Sequence, residues 1–144
     1  MINKDYFRKT RILDGGMGQE LLARGMKSNS TLWSANAILD ENYHQLVLDT
    51  HIDFIKAGAE IIVTNTFATR QKRLNDNNIG DKFYYLNKKA GEIALSAKKK
   101  FPHVFVAGGL PPQNLTYEPD ERDEDKITEN FKDQARVLLS LIHI

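Results

Sequence analysis

Cysteine is absent from this 144-residue chain, which removes disulfides, thiolate metal ligands and a cysteine nucleophile from these residues. The absence fits a reducing compartment. Proline is scarce, with four residues in all, and the adjacent pair Pro111-Pro112 marks one firm interruption of regular structure. Neither sign of charge dominates: the formal net charge is +1, so no global field recruits nucleic acid or an anionic membrane. The basic run at 98–100 and the acid-rich run at 120–125 read as solvated helix ends or loops. No apolar run approaches the length of a membrane span. Residues 1–10 form a polar leader without the apolar core of a secretion signal. The expected location is cytoplasmic, with neither nucleic acid nor membrane as partner. Catalytic signatures are missing too. The chain has no H-E-x-x-H, no G-x-S-x-G and no G-x-x-x-x-G-K-[ST], and its acid-rich run lacks calcium-loop spacing.

What is present is an alternation of short apolar runs and helical patterns. Arg11-Ile12-Leu13-Asp14 reads as a minimal strand ending in a carboxylate, and the glycines at 15, 16 and 18 turn the chain into a short helix stopped by Gly25. Residues 26–37, with the single tryptophan Trp33, show little periodicity and read as a loop. Asp40 is the expected N-cap of a helix through Lys56, with Tyr43, Leu46, Val47, Thr50 and Phe54 as its buried stripe and Gly58 as its end. The β-branched run at 60–65 reads as a strand buried on both faces. Helical material is expected over 68–74 and again over 81–99, where Phe83, Leu86, Ala90, Ile93, Ala94 and Ala97 mark one face. A third strand over 103–107 leads to the proline pair. After a long loop, a final helix carries Ile127, Phe131, Ala135 and Leu138 on one side. Strand and helix in alternation predict an α/β protein with parallel strands. Periodicity alone leaves barrel and open sheet level.

The sharpest candidate for chemistry is Asp14-Gly15-Gly16-Met17-Gly18 at a strand end. Glycines admit a ligand close to the backbone, and the Asp14 carboxylate suits the ammonium end of an amino acid. The same pattern fits a tight turn whose aspartate caps its own loop, and the local sequence leaves both readings open. A dinucleotide site is disfavoured, because the spacing is not G-x-G-x-x-G and Asp40 and Glu41 open a helix instead of ending a second strand. Thr64-Asn65-Thr66-Phe67 ends the second strand, where α/β folds place ligand contacts, with Phe67 as an apolar wall. His44 and His51, seven apart, are not a chelating pair. They read as structural or solvated, as do His103 and His143.

At Ile12-Leu13-Asp14-Gly15-Gly16-Met17-Gly18-Gln19-Glu20-Leu21 the chain resembles the homocysteine S-methyltransferase family. The likeness continues through Trp33-Ser34-Ala35, His51, Ala57-Gly58-Ala59-Glu60-Ile61-Ile62, Thr64-Asn65-Thr66-Phe67 and Val106-Ala107-Gly108-Gly109-Leu110-Pro111-Pro112. It implies the N-terminal portion of an eight-stranded (β/α)8 TIM barrel, incomplete in this chain. Residues 11–139 would be the N-terminal half of the homocysteine-binding domain, and 140–144 an anomalous or truncated tail. The implied reaction transfers a methyl group from a donor such as S-methylmethionine or S-adenosylmethionine to the homocysteine sulfur, giving methionine. Asp14, Gly15, Gly16, Asn65, Thr66 and Phe67 are the implied substrate-binding residues. No catalytic or metal-ligating residue is assigned within the chain. The implied zinc, which activates the thiol, would be held by three cysteines beyond residue 144, so the chain alone is expected to be inactive, and the open sheet edges and uncovered helix faces of a partial barrel would make it poorly soluble. Two further departures stand out: Gly109-Leu110-Pro111-Pro112 where relatives usually read Ser-(Leu/Ile)-Gly-Pro, and residues 140–144, which do not continue the family pattern. The competing reading is a non-catalytic amino-acid-binding fragment that lacks the zinc site.

Overall fold

The structure is a computed structural model, and it describes residues 4–114, 119 and 121–142. Its centre is a small parallel sheet. Strand β1 (Ile61–Val63) pairs with β2 (Phe105–Ala107) in the register Ile61↔Phe105, Ile62↔Val106 and Val63↔Ala107. On the other edge of β1, Leu13 forms a single parallel bridge to Ile61. The Asp14 amide donates to the Ile61 carbonyl at 3.0 Å, and the Glu60 amide donates to the Ile12 carbonyl at 2.9 Å.

Two of the three expected strands are therefore in place and parallel, both shorter than the sequence pattern suggested, and the expected first strand does not form as one. The first is reduced to one bridge. Ile12 and Leu13 remain 58% and 57% exposed, so this segment has neither a second neighbour nor two covered faces to extend its pairing. Glu60 supplies part of the missing ladder: its carboxylate accepts from the Ile12 amide at 3.1 Å and from Arg11 at 2.8 Å.

Among the described residues six α-helices follow one another along the chain: α1 (Met17–Ala23), α2 (Asn36–Leu39), α3 (His44–Lys56), α4 (Gln71–Asp76), α5 (Phe83–Lys100) and α6 (Glu124–Leu139). Asp40 does act as a cap, accepting from the Asn42 amide at 3.0 Å, but it opens a 3₁₀ turn that leads into α3. Gly58, at φ +111°, takes the left-handed position that ends the helix. The expected stripe of α3 faces inward at Val47 and Thr50 and is half-buried at Tyr43, Leu46 and Phe54. On α5, Leu86, Ala90, Ile93, Ala94 and Ala97 are all buried.

Two readings are corrected. The segment read as a loop over 26–37 contains a 3₁₀ turn at Trp33–Ala35 and the start of α2. The helix expected from residue 68 starts at Gln71, because Arg70 is extended and Thr66 and Thr69 commit their side chains to the loop before it. On α6 the buried residues are Gln134, Val137 and Leu138, whereas Ile127, Phe131 and Ala135 are only partly covered. Asp123 caps this helix by accepting from the Asp125 amide at 2.8 Å.

The core has two parts. One gathers Leu21, Ile38, Val47, Leu74 and Leu86 between α1, α2, α3, α4 and α5. The other packs Ile52, Ile55, Ile62, Val104, Val106 and Leu138 around the sheet, and Ile142 joins it at 3% exposure. The apolar run after α6 is thus partly spent as core, while His143 and the last residue lie outside the described residues. Most of the run at 120–125 falls after the sheet as expected, with Asp120 itself also outside them.

Candidate functional site

The turns that follow Leu13, β1 and β2 lie at the same end of the sheet, because the strands are parallel. Two of them, with the Trp33 segment, enclose a cavity of about 270 Å³. Asp14, Gly15, Gly16, Asn65 and Phe67 all line it, joined by Trp33. Two glycines are there for space. A Cβ on Gly15 would stand 2.8 Å from the Phe54 ring, and one on Gly18 would stand 2.5 Å from the Trp33 indole nitrogen. Gly16 meets nothing within 4 Å, so its bare backbone is open towards the cavity. Trp33 adopts φ +52°, an unusual conformation for a bulky residue. The turn that holds it there is built by Asn29, whose side-chain oxygen accepts from the Thr31 and Leu32 amides and whose carbonyl accepts from the Trp33 amide at 2.7 Å.

Asp14 lies at the floor of the cavity with its side chain only 5% exposed. One carboxylate oxygen accepts from the Val63 amide at 2.8 Å. Burial pushes its pKa up to about 6, partly offset by the Val63 hydrogen bond and by its own backbone amide. Behind it, α3 delivers His51, which is fully buried, with Nδ1 4.0 Å from the same Asp14 oxygen. Neither ring nitrogen of His51 has a hydrogen-bond partner among the described residues. Burial holds its pKa down at about 4. The pair is therefore an ionisable acid against a neutral imidazole around neutral pH.

The second loop divides its labour. Asn65 is buried and its amide nitrogen donates to the Ser34 carbonyl at 3.1 Å, tying the loop to the Trp33 segment. Phe67, 44% exposed, forms a wall of the cavity. Thr66 does not line it. Its hydroxyl donates to the Gly109 carbonyl at 2.7 Å and lies 2.9 Å from the Thr64 hydroxyl, while Thr64 in turn accepts from the Gly109 amide at 3.1 Å. Thr66 is thus a clasp between the second and third loops.

Gly109 fits under that clasp closely, since a Cβ there would stand 3.1 Å from the Thr66 hydroxyl and 3.2 Å from Val63. Below it runs a buried amide network. Gln134 donates to the Thr66 carbonyl and to the Asn87 side chain, both at 3.0 Å, and Asn87 also accepts from the Thr69 hydroxyl at 2.8 Å.

The sequence profile of the homocysteine S-methyltransferase family matches residues 11–141, which spans every loop of this cavity. The chain belongs to that family. Among curated members, homocysteine S-methyltransferase 2 of Zea mays is 37% identical over 104 residues, covering 72% of this chain and 30% of the relative. The homocysteine S-methyltransferase of Escherichia coli is 28% identical over 109 residues, covering 70% of this chain and 34% of the relative. The chain thus spans about a third of the length of these relatives. Among solved structures, the metallated homocysteine methyltransferase MmuM of Escherichia coli matches with a TM-score of 0.80 at 23% identity, over 96% of this chain and 53% of that one. The likeness shows a shared α/β fold across almost the whole chain.

This family member presents a carboxylate, a glycine-opened backbone and an aromatic wall in one cavity. Among the described residues no group of three or more His, Asp or Glu side chains comes together to hold an ion, and the chain has no cysteine. Asp14 and His51 are only two groups, so these residues do not fit a zinc ion. His51, which the sequence reads as structural or solvated, is structural, and the structure adds that it lies against Asp14. A signal was there: on α3 it falls four residues after Val47 and one after Thr50, on the buried stripe. A histidine at such a position needs a polar reason, and the carboxylate at a strand tip is the candidate. His44, by contrast, sits 2.9 Å from the Ile38 carbonyl and joins α3 to α2.

Proposed function

We propose that this chain is the acceptor-binding portion of a homocysteine S-methyltransferase, within a (β/α)8 barrel of which it contributes the first strands and helices. In this reading the full protein transfers a methyl group from a donor such as S-methylmethionine or S-adenosylmethionine to the homocysteine sulfur, giving methionine. The observation that carries it is the placement of Asp14 under the open Gly15-Gly16 backbone, in a cavity walled by Phe67. The sequential parallel order of the Leu13 segment, β1 and β2 is how a barrel begins, and the likeness to the MmuM fold supports it. The exposed outer edge at Ile12 and Leu13 suits a segment that gains a further strand neighbour on closure.

The chemistry open to these residues is binding and orientation. A substrate ammonium placed against Asp14 keeps that carboxylate ionised, because a nearby positive charge opposes the effect of burial. Gly15 and Gly16 offer backbone to the α-carbon end of the amino acid, Asn65 holds the Trp33 loop, and Phe67 covers the aliphatic part. Thr66 acts at one remove by fixing the loop that carries Asn65 and Phe67. Zinc belongs to this proposal only through cysteines outside residues 1–144. The donor set described above does not accommodate it, so the chain alone is expected to bind the acceptor without forming methionine. A cytoplasmic location completes the reading. No helix among the described residues is long and apolar enough to cross a membrane.

Calorimetric titration of the chain with L-homocysteine, with homoserine and with 4-mercaptobutanoate, which is homocysteine without its ammonium group, tests the assignment. Saturable binding of homocysteine that fails for the ammonium-free thiol is expected. Equal binding of both would remove Asp14 from its role, and no saturable binding in the millimolar range would remove the acceptor-site reading.

A further inference from the structure

A second cavity, also of about 270 Å³, shares no lining residue with the first. It is lined by Arg70, Lys72, Arg73 and Asp76 around α4, and by Ser30, Thr31, Asn77 and Asn114. Arg70 is 1% exposed, yet it faces this space. Its single hydrogen bond among the described residues is a long one, from Nη1 to the Phe67 carbonyl at 3.3 Å, and its guanidinium carbon lies 5.8 Å from the Phe67 ring centre. A guanidinium carries five N–H donors, and buried charges are ordinarily paired. Among the described residues no carboxylate pairs with Arg70. Asp76, the acid on the same wall, is engaged by Lys72 at 2.8 Å. Arg73, half-buried, also forms no ion pair among the described residues. Burial holds Arg70 down at about 10, with Arg73 and then Arg122 adding like charge, and burial lowers Arg73 as well, while Asp76 offsets part of the effect on both. Both arginines remain cationic at neutral pH.

The wall of this cavity thus carries three cations against one acid, with most of the Arg70 fork unspent. We propose that this cavity is an oxyanion site, taking the carboxylate or phosphate group of a small molecule, with Arg70 as the bidentate fork and Arg73 as the second cation. Guanidinium groups match both anions through paired N–H donors. The Thr31 and Ser30 hydroxyls and the Asn77 and Asn114 amides supply the polar remainder of the wall. The two cavities share no lining residue, and they meet only at Phe67, whose carbonyl accepts from Arg70 while its ring walls the Asp14 cavity.

The test is thermal unfolding and calorimetric titration of the full chain with sodium phosphate and, separately, sodium acetate, at ionic strength held constant with sodium chloride. A saturable rise in Tm with either anion is expected, with affinity at least tenfold weaker in Arg73→Gln and in Arg70→Lys, which keeps charge but loses the fork. Lys99→Gln, an exposed change at the end of α5, should bind as the parent does. Saturation by phosphate alone identifies a phosphoryl group as the ligand, and saturation by acetate alone a carboxylate. Should Arg70→Lys fail to fold, the half-buried Arg73→Gln decides. A response that never saturates, or one that Arg73→Gln leaves unchanged, overturns the proposal.

Discussion

Replacing Asp14 by asparagine should make the fold more stable at alkaline pH while it damages binding. The carboxyl sits in a floor where burial raises its pKa from 3.8 to about 6. At about 1.4 kcal/mol per pKa unit, holding that group ionised costs the folded state about 3 kcal/mol. The sign follows from the raised value. Stability linked to Asp14 is fully present below pH 3.8, where the group is protonated in both states, and is lost as pH rises through about 6. Asparagine keeps an oxygen to accept the Val63 amide and never ionises, so it avoids the loss.

Urea unfolding should therefore find Asp14→Asn more stable than the parent by about 1–3 kcal/mol at pH 8, with the difference shrinking towards zero near pH 4. Homocysteine affinity should fall by about ten- to a hundredfold in the same variant, the worth of one charge-assisted contact. This is the stability–function opposition expected where a charge is buried for binding. A variant less stable than the parent at pH 8, or a difference that does not depend on pH, would refute the argument, since either result means that the ionised carboxylate already has a compensating partner.

His51 should behave in the opposite sense. Its folded pKa of about 4, against 6.5 when exposed, means that its contribution is intact above pH 6.5 and is lost as pH falls through 4. His51→Leu should flatten the acid limb of the stability curve by about 3 kcal/mol in urea titrations, and an unchanged acid limb would show that His51 is hydrated or paired. Thr66→Val removes the hydroxyl that joins Thr64 and Gly109. A stability loss of about 1–3 kcal/mol is expected from the unsatisfied buried groups, together with weaker homocysteine binding through the loosened Phe67 loop. A loss in binding with no change in unfolding would place Thr66 in direct contact with the ligand instead.

The helices were readable because their signals are local. Asp40 and Gly58 act where a cap and a stop were expected, and the stripes of α3 and α5 face inward as their spacing predicts, buried along most of α5 and half-buried at several positions of α3. The glycine turn after Asp14 and the strand-end position of Asn65 and Phe67 were legible for the same reason: a few consecutive residues carry the whole pattern. Strand lengths were not. Pairing depends on neighbours far along the chain, so the segment at Leu13 shrinks to one bridge where no second neighbour covers it.

Partnerships across the fold lay outside what the linear order reveals. His51 meets Asp14 only because α3 packs beneath the strand tips, and Thr66 turns from the cavity because Gly109 lies close enough to take its hydroxyl bond. Arg70 reads in sequence as one more charge before a helix, and it is tertiary packing that leaves it buried without a carboxylate. The sequence by itself determined the α/β alternation, the caps and the glycine-lined candidate site, since each rests on residues adjacent or one helical turn apart. Tertiary structure alone decided which polar groups are desolvated and which find partners, because burial and hydrogen bonding are set by residues tens of positions away.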